Sequence, residues 1–138
     1  MRPKPALEHR AAGIAMVLVL ALVGMGAAAQ PAKPDYLSYA EFSADDTPQK
    51  VALKRAYNDA VQRYNQALYE YHVTLAQHDR LVDAHNSTTD PAERKKTREE
   101  AEALRAKLGG LRREATSRAA TVDEAARRAA AGGVSLTR

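Results

Sequence analysis

Three of the four histidines, His72, His78 and His85, lie within one short stretch of chain. Imidazoles so grouped suggest a metal site or a proton-responsive one. The spacing argues against a metal. His78 and His85 are seven residues apart, or about 10 Å along a helix at ~1.5 Å per residue, whereas one ion holds its ligand nitrogens within about 2 Å. No two histidines have the i, i+4 spacing that lets one helix grip an ion, and His72 points to another face. His78 and His85 would serve as ligands only if a symmetric dimer brought equivalent residues together; otherwise they form a polar end to a helix seam that protonation would loosen. Neither a metal nor another cofactor is expected. Asp79 and Asp83 stand one turn apart on a polar side, a solvated pair. The chain has no Gly-rich phosphate loop, no nucleophile elbow and no HExxH. It has no cysteine, which excludes zinc fingers, thiol redox chemistry and iron–sulfur clusters. No enzyme activity is expected.

Arg98, Arg105 and Arg112 recur every seven residues, with Arg94-Lys95-Lys96 at the start of the row. Such a strip could dock an anionic partner. The preferred reading is a solvated face laced with i, i+4 pairs: Lys95–Glu99, Lys96–Glu100, Arg98–Glu102, Glu114–Arg118, Asp123–Arg127 and Glu124–Arg128. Nucleic acid is not an expected partner, because no aromatic residue interleaves with the basic ones. Tyr69 and Val73, four apart on the far side of the same helical stretch that carries the histidines, offer an apolar partner surface instead.

The elements that position these residues begin after a leader. Arg2, Lys4, His9 and Arg10 precede an apolar run over 11–29, which closes on Ala27-Ala28-Ala29-Gln30. This is the layout of a secretory signal peptide over 1–29, cleaved between Ala29 and Gln30. The alternative is an uncleaved membrane anchor, since the run approaches the ~20 residues needed to span a bilayer. Either way the remainder is expected outside the cytoplasm, in the periplasm or beyond the cell. The formal charge of +4 includes Arg2, Lys4 and Arg10 against Glu8, so the remainder carries +2.

Residues 30–46 hold Pro31, Pro34, Tyr36, Tyr39 and Phe42 with little helical period, and predict an extended arm. The arm is acidic, whereas 91–131 carries eleven Lys/Arg against seven Asp/Glu, so arm and basic helix could attract one another. Thr47-Pro48 reads as a helix start. No Gly or Pro follows until a turn at 86–90, where Asn86-Ser87-Thr88 also fits the N-glycosylation pattern. Asp90-Pro91-Ala92-Glu93 then combines a cap, a first-turn proline and a capping-box acid. Gly132-Gly133 ends the second helix, and 132–138 reads as a disordered tail.

Helix 1 (about 47–85) carries Tyr57, Tyr64, Tyr71, His78 and His85 at spacings of seven. These interleave with Val61, Leu68, Leu75 and Val82. Helix 2 (about 91–131) repeats the scheme with Leu104, Leu111 and Leu108, Val122 among smaller residues. Alternation by four and three is the coiled-coil period. The fold expected is all-α, an antiparallel helical hairpin. Folding about the turn would bring Leu68 to Leu108, Tyr64 to Leu111 and Tyr57 to Ala119. Gly109-Gly110 is either a tolerated joint or a break in helix 2. A third small or apolar row (Leu53, Ala60, Ala67, Thr74, Leu81) lies beside the seam, more than two helices alone should cover, so self-association into a dimer or larger bundle is expected.

Val73-Thr74-Leu75-Ala76-Gln77 resembles one copy of the LTxxQ signature of the small helical periplasmic stress chaperones, with Val at its first position and no second copy. The resemblance covers five residues. It implies a profile compatible with an envelope chaperone or metal-responsive stress protein. The expectation from the residues themselves is an exported, non-catalytic coiled-coil protein that binds, scaffolds or spaces. The remaining alternative is a membrane-anchored accessory subunit of a larger complex.

Overall fold

The computed structural model describes residues 34–136. The leader and its junction at Ala29 and Gln30 lie outside the described residues. Two helices pack against each other, α1 (Pro48–Ser87) and α2 (Pro91–Ala131), and there is no strand among the described residues. None of the described helices is long and apolar enough to cross a membrane.

Local chemistry sets each boundary. The Thr47 hydroxyl accepts from the Lys50 N–H at 3.3 Å, and Pro48 occupies the first turn, where no N–H is needed. α1 continues to Ser87 because the Ser87 hydroxyl donates to the Asp83 carbonyl at 2.7 Å and the Thr88 N–H closes on Ala84 at 3.1 Å. Asp90 caps α2 by accepting from the Ala92 N–H at 3.0 Å. Glu93 does not close the reciprocal capping box. Its carboxylate accepts from the Thr88 hydroxyl at 2.7 Å, and Thr88 in turn accepts from the Asp90 N–H, so the turn is tied across its full width.

The helices run antiparallel, as two contacts at opposite ends show. His85 Nδ1 reaches the Arg94 carbonyl at 3.0 Å and the Thr97 hydroxyl at 3.4 Å. At the other end, Leu53 Cδ1 occupies the space a side chain on Gly132 would need. These contacts correct the expected register. Symmetric folding about the turn would place His85 opposite Pro91 and Leu53 opposite Asp123, so α2 is displaced by about one heptad. The pairs Leu68–Leu108, Tyr64–Leu111 and Tyr57–Ala119 follow from the symmetric register and not from this one. A slip of one heptad returns every residue to the same face, which is why the faces survive while the partners change.

Val61, Tyr64, Leu68 and Tyr71 of α1 and Thr97, Leu111, Ala115, Val122 and Ala129 of α2 are buried. Tyr57, Leu75, Val82, Leu104 and Leu108 are half-buried. The third row is covered within the chain: Ala60, Ala67 and Thr74 are buried, and Leu53 and Leu81 half-buried. The burial of this row is therefore met without a second copy.

α2 passes through Gly109-Gly110 without interruption. Its end is a Schellman motif. The Gly133 N–H donates to Ala130 and the Val134 N–H to Ala129, with Gly133 at φ 77°. Val134 is buried, so the disordered tail expected from 132 is corrected at its start: the cap orders the chain as far as Val134.

The glycines therefore predict opposite signs. A Cβ on Gly110 meets nothing within 4 Å, and one on Gly109 meets only Arg113 Nη1 at 3.8 Å. Replacing either by Ala should raise the unfolding free energy by about 1 kcal/mol. Gly133→Ala should lower it by about 1–2 kcal/mol, because φ there is left-handed. Denaturant midpoints of the three variants check this.

Candidate functional site

The arm is strapped to α1 by paired carboxamide contacts. Asn65 Oδ1 accepts from the Leu37 N–H at 2.9 Å while Asn65 Nδ2 donates to the Leu37 carbonyl at 2.9 Å. Asn58 treats Ala40 the same way, at 2.7 and 3.0 Å. Each side chain offers a donor and an acceptor to one residue's backbone, much as a neighbouring strand would. The spacings match: three extended residues cover about 10 Å at ~3.3 Å each, and seven helical residues about 10.5 Å at ~1.5 Å each. Higher arm numbers meet lower helix numbers, so the arm runs antiparallel to α1.

A third anchor closes the strap. Lys54 Nζ contacts both oxygens of Asp46, at 2.9 and 2.6 Å, and the two side chains are only 9% and 8% exposed. Asp46 also accepts from the Ser43 N–H at 2.8 Å. Lys54 and Ser43 hold its carboxyl below the usual carboxylate range. The acidic arm thus finds its buried cation on α1, and not on the basic helix.

The asparagine row continues to His72, where the same register carries Pro34. A proline has no N–H to give, and its carbonyl already accepts from the Tyr36 N–H at 3.0 Å. His72 Nδ1 is buried with no hydrogen-bond partner, and the ring meets Tyr71 edge-on at 5.5 Å. Burial pushes its pKa down. Tyr64 and Tyr71 are pushed up, chiefly by burial, with Asp35 of the arm adding to Tyr64.

With Ala40 buried and Leu37 half-buried, the intervening side chains turn outward. Tyr36, Tyr39 and Phe42, three residues apart, are 44%, 51% and 53% exposed. Tyr69, one turn beyond Asn65, is 58% exposed, and Val73 follows it at 38%. These five are the exposed large hydrophobic side chains among the described residues.

The other candidate residues are scattered. His78, expected at a polar end of the seam, is buried with Nδ1 3.2 Å from Asp79; His85 is bound to the second helix. No group of three or more metal-ligating side chains stands together among the described residues. Arg98 is tied to Glu102 at 2.9 Å, and Arg105 and Arg112 are exposed. Lys95–Glu99, Glu114–Arg118 and Glu124–Arg128 form at 3.9, 3.5 and 2.7 Å, whereas Arg127 pairs with Glu124 at 3.5 Å in place of Asp123. The arginine row therefore presents part of its charge already neutralised. Asn58 and Asn65 were missed in the sequence. Two carboxamides seven apart at the edge of an apolar seam were the signal.

No protein-family model, curated protein or solved structure matches the chain.

Two outcomes follow for the strap. The amides of Leu37 and Ala40 should exchange more slowly than those of Ser38 and Tyr39; Asn58→Ala with Asn65→Ala should abolish that difference and leave helicity intact, at a cost of about 1–3 kcal/mol per clamp. Hydrogen exchange and circular dichroism read both. The pH dependence has a definite sign. His72 titrates lower folded than unfolded, so its stabilising share is complete above about pH 6.5 and falls away as the pH drops through that value toward the folded one. Asp46, depressed in the fold, adds a separate loss below about pH 4. Melting curves should show His72→Gln flattening the upper window and Asp46→Asn the lower.

Proposed function

We propose that the chain is an exported, non-catalytic binding or scaffolding protein of the cell envelope or extracellular space, and that its working face is the outward aromatic row of the strapped arm. Export rests on the leader pattern. The face rests on one observation: Tyr36, Tyr39 and Phe42 stand outward while the residues between them are fixed to α1 by four hydrogen bonds. A loose arm would have to be ordered by each partner that gripped it. A strapped one has met that entropy cost in folding, so contact with its rings is worth more. Exposed aromatics on a fixed support are the residue type that carries interface energy. The partner is a protein surface, a second copy included; Arg98, Arg105 and Arg112 supply a secondary polar strip.

Two neighbouring readings rest on the same surface. A chaperone would use the apolar band for unfolded clients, and would suppress aggregation of an unrelated unfolding protein at stoichiometric amounts. A retained leader would tether the arm beside a bilayer, where tyrosines suit the interface, and the protein would resist carbonate extraction.

The test is photocrosslinking from positions 39 and 69 in the native compartment, with position 61 as the buried control. Defined adducts to another polypeptide should form from 39 and 69 and not from 61. Those from 69 should fall at least tenfold in the Tyr36→Ala, Tyr39→Ala, Phe42→Ala variant, and those from 39 in Tyr36→Ala with Phe42→Ala; the melting temperature of each should barely move. Adducts that ignore the three substitutions, or none at all, would remove the aromatic row as the working face.

A further inference from the structure

Asn58 and Asn65 recognise main chain and nothing else. Each carboxamide takes the N–H and the carbonyl of one residue, so the row on α1 is a receiver for any extended segment of suitable register. Its requirements are a small side chain at the inner clamp, where Ala40 is buried, and a larger one three residues earlier, where Leu37 is half-buried. The chain's own arm meets both.

The connection between arm and helix is separable from the clamps. The turn at 43–46 is held by bonds internal to it: Asp46 N–H to the Ser43 carbonyl at 3.1 Å, Ser43 N–H to Asp46 at 2.8 Å, and Asp45 N–H to the Ser43 hydroxyl at 3.3 Å. Residues 43–45 are exposed. The Lys54–Asp46 pair lies on the helix side of this turn and stays in place if the turn opens. Lifting the arm therefore breaks the two clamps, the burial of Leu37 and Ala40, and the exposed turn's own three bonds; a second copy's α1 would restore the clamps and the burial, and water can replace the exposed turn bonds.

We propose that two copies associate by reciprocal exchange of residues 34–42, each arm lying in the Asn58–Asn65 row of the other. This deepens the self-association included in the binding role above and rests on it. Direction fixes the geometry. An arm freed at 43–46 continues beyond the N-terminal end of its own α1. It keeps the antiparallel sense on the partner's α1 only if the two helices meet N-terminus to N-terminus. The dimer is then two-fold symmetric and end to end, about twice the ~60 Å length of one helix. A foreign peptide must displace an arm tethered at high effective concentration, whereas an exchanged arm replaces like with like. The aromatic row still faces outward in the exchanged form, at twice the number.

Full-length chains of natural and heavy-isotope composition, with a photocrosslinker at position 37, which lies against Asn65 of α1, are refolded together at high concentration. Exchange predicts mixed-isotope peptides joining the arm to the α1 segment around 58–65. Deleting Ala44 and Asp45, which leaves too little chain to fold back, should raise the mixed fraction at least tenfold over the unmodified chain; four added Gly/Ser residues should lower it. Asn58→Ala with Asn65→Ala should remove mixed peptides while circular dichroism shows the helices intact. Scattering should give a dimer about twice as long as the monomer. Only same-isotope peptides, indifference to turn length, or a dimer no longer than the monomer would overturn the exchange. Absence of mixed peptides from the unmodified and the shortened chains, with position-39 adducts to a different protein still formed, would overturn the exchange alone and leave the binding role standing.

Discussion

The fold depends on the width of the apolar band on α1. Four heptad rows are at least partly inside: the one holding Ala60, Ala67 and Thr74, the one of Tyr64 and Tyr71, the one of Val61 and Leu68, and the edge held by Asn58 and Asn65. Adjacent rows are about 50° apart around a heptad, so the band spans roughly 150°, and a single helix contacts a narrower stripe than that. α2 covers one side and the arm covers the other. Val61, fully buried, lies in the row between the edge that holds the arm and the row that faces α2.

An extended segment is a poor cover unless its backbone is satisfied. A helix completes its own hydrogen bonds; a strap with no strand beside it has none, and buried N–H and carbonyl groups left unpaired cost about 1–3 kcal/mol each. Asn58 and Asn65 resolve this by standing in for the missing strand. Their cost in helix propensity is a few tenths of a kcal/mol each, small beside four satisfied backbone groups. The Lys54–Asp46 pair does a different task. The carboxylate is covered by its immediate neighbours, not by the depth of the bundle, and it holds the turn against the helix start. Hydrogen bonds thus place the arm along α1, and the ion pair fixes where it departs.

The period of seven was enough to read the architecture: two helices of nearly equal length, the turn between them, and the tyrosine and leucine rows that meet. Register was less legible, because a heptad pattern is unchanged by a shift of one repeat. Only the contacts near the ends, His85 with Thr97 and Leu53 with Gly132, select one. The strap was legible as an extended segment but not as a docked one. Its pairing runs between residues 18 and 28 apart in sequence and uses side-chain amides, which carry no periodic signal of their own. The apparent surplus of small residues at Ala60, Ala67 and Thr74 suggested an absent second copy. Those residues are buried within one chain.

Polar groups inside a seam usually select one arrangement over its competitors at some expense in stability. The asparagines here have the same character. An apolar pair at positions 58 and 65 would cover the arm without fixing it, since leucines contact an extended chain equally well in adjoining registers. A carboxamide that must meet one N–H and one carbonyl tolerates no such slip. One residue of displacement would carry Leu37 and Ala40 out and Tyr36 and Tyr39, or Ser38 and Glu41, in. The exposed aromatic row is therefore a consequence of two buried amides: what the surface displays is decided by which backbone groups the helix beneath can satisfy.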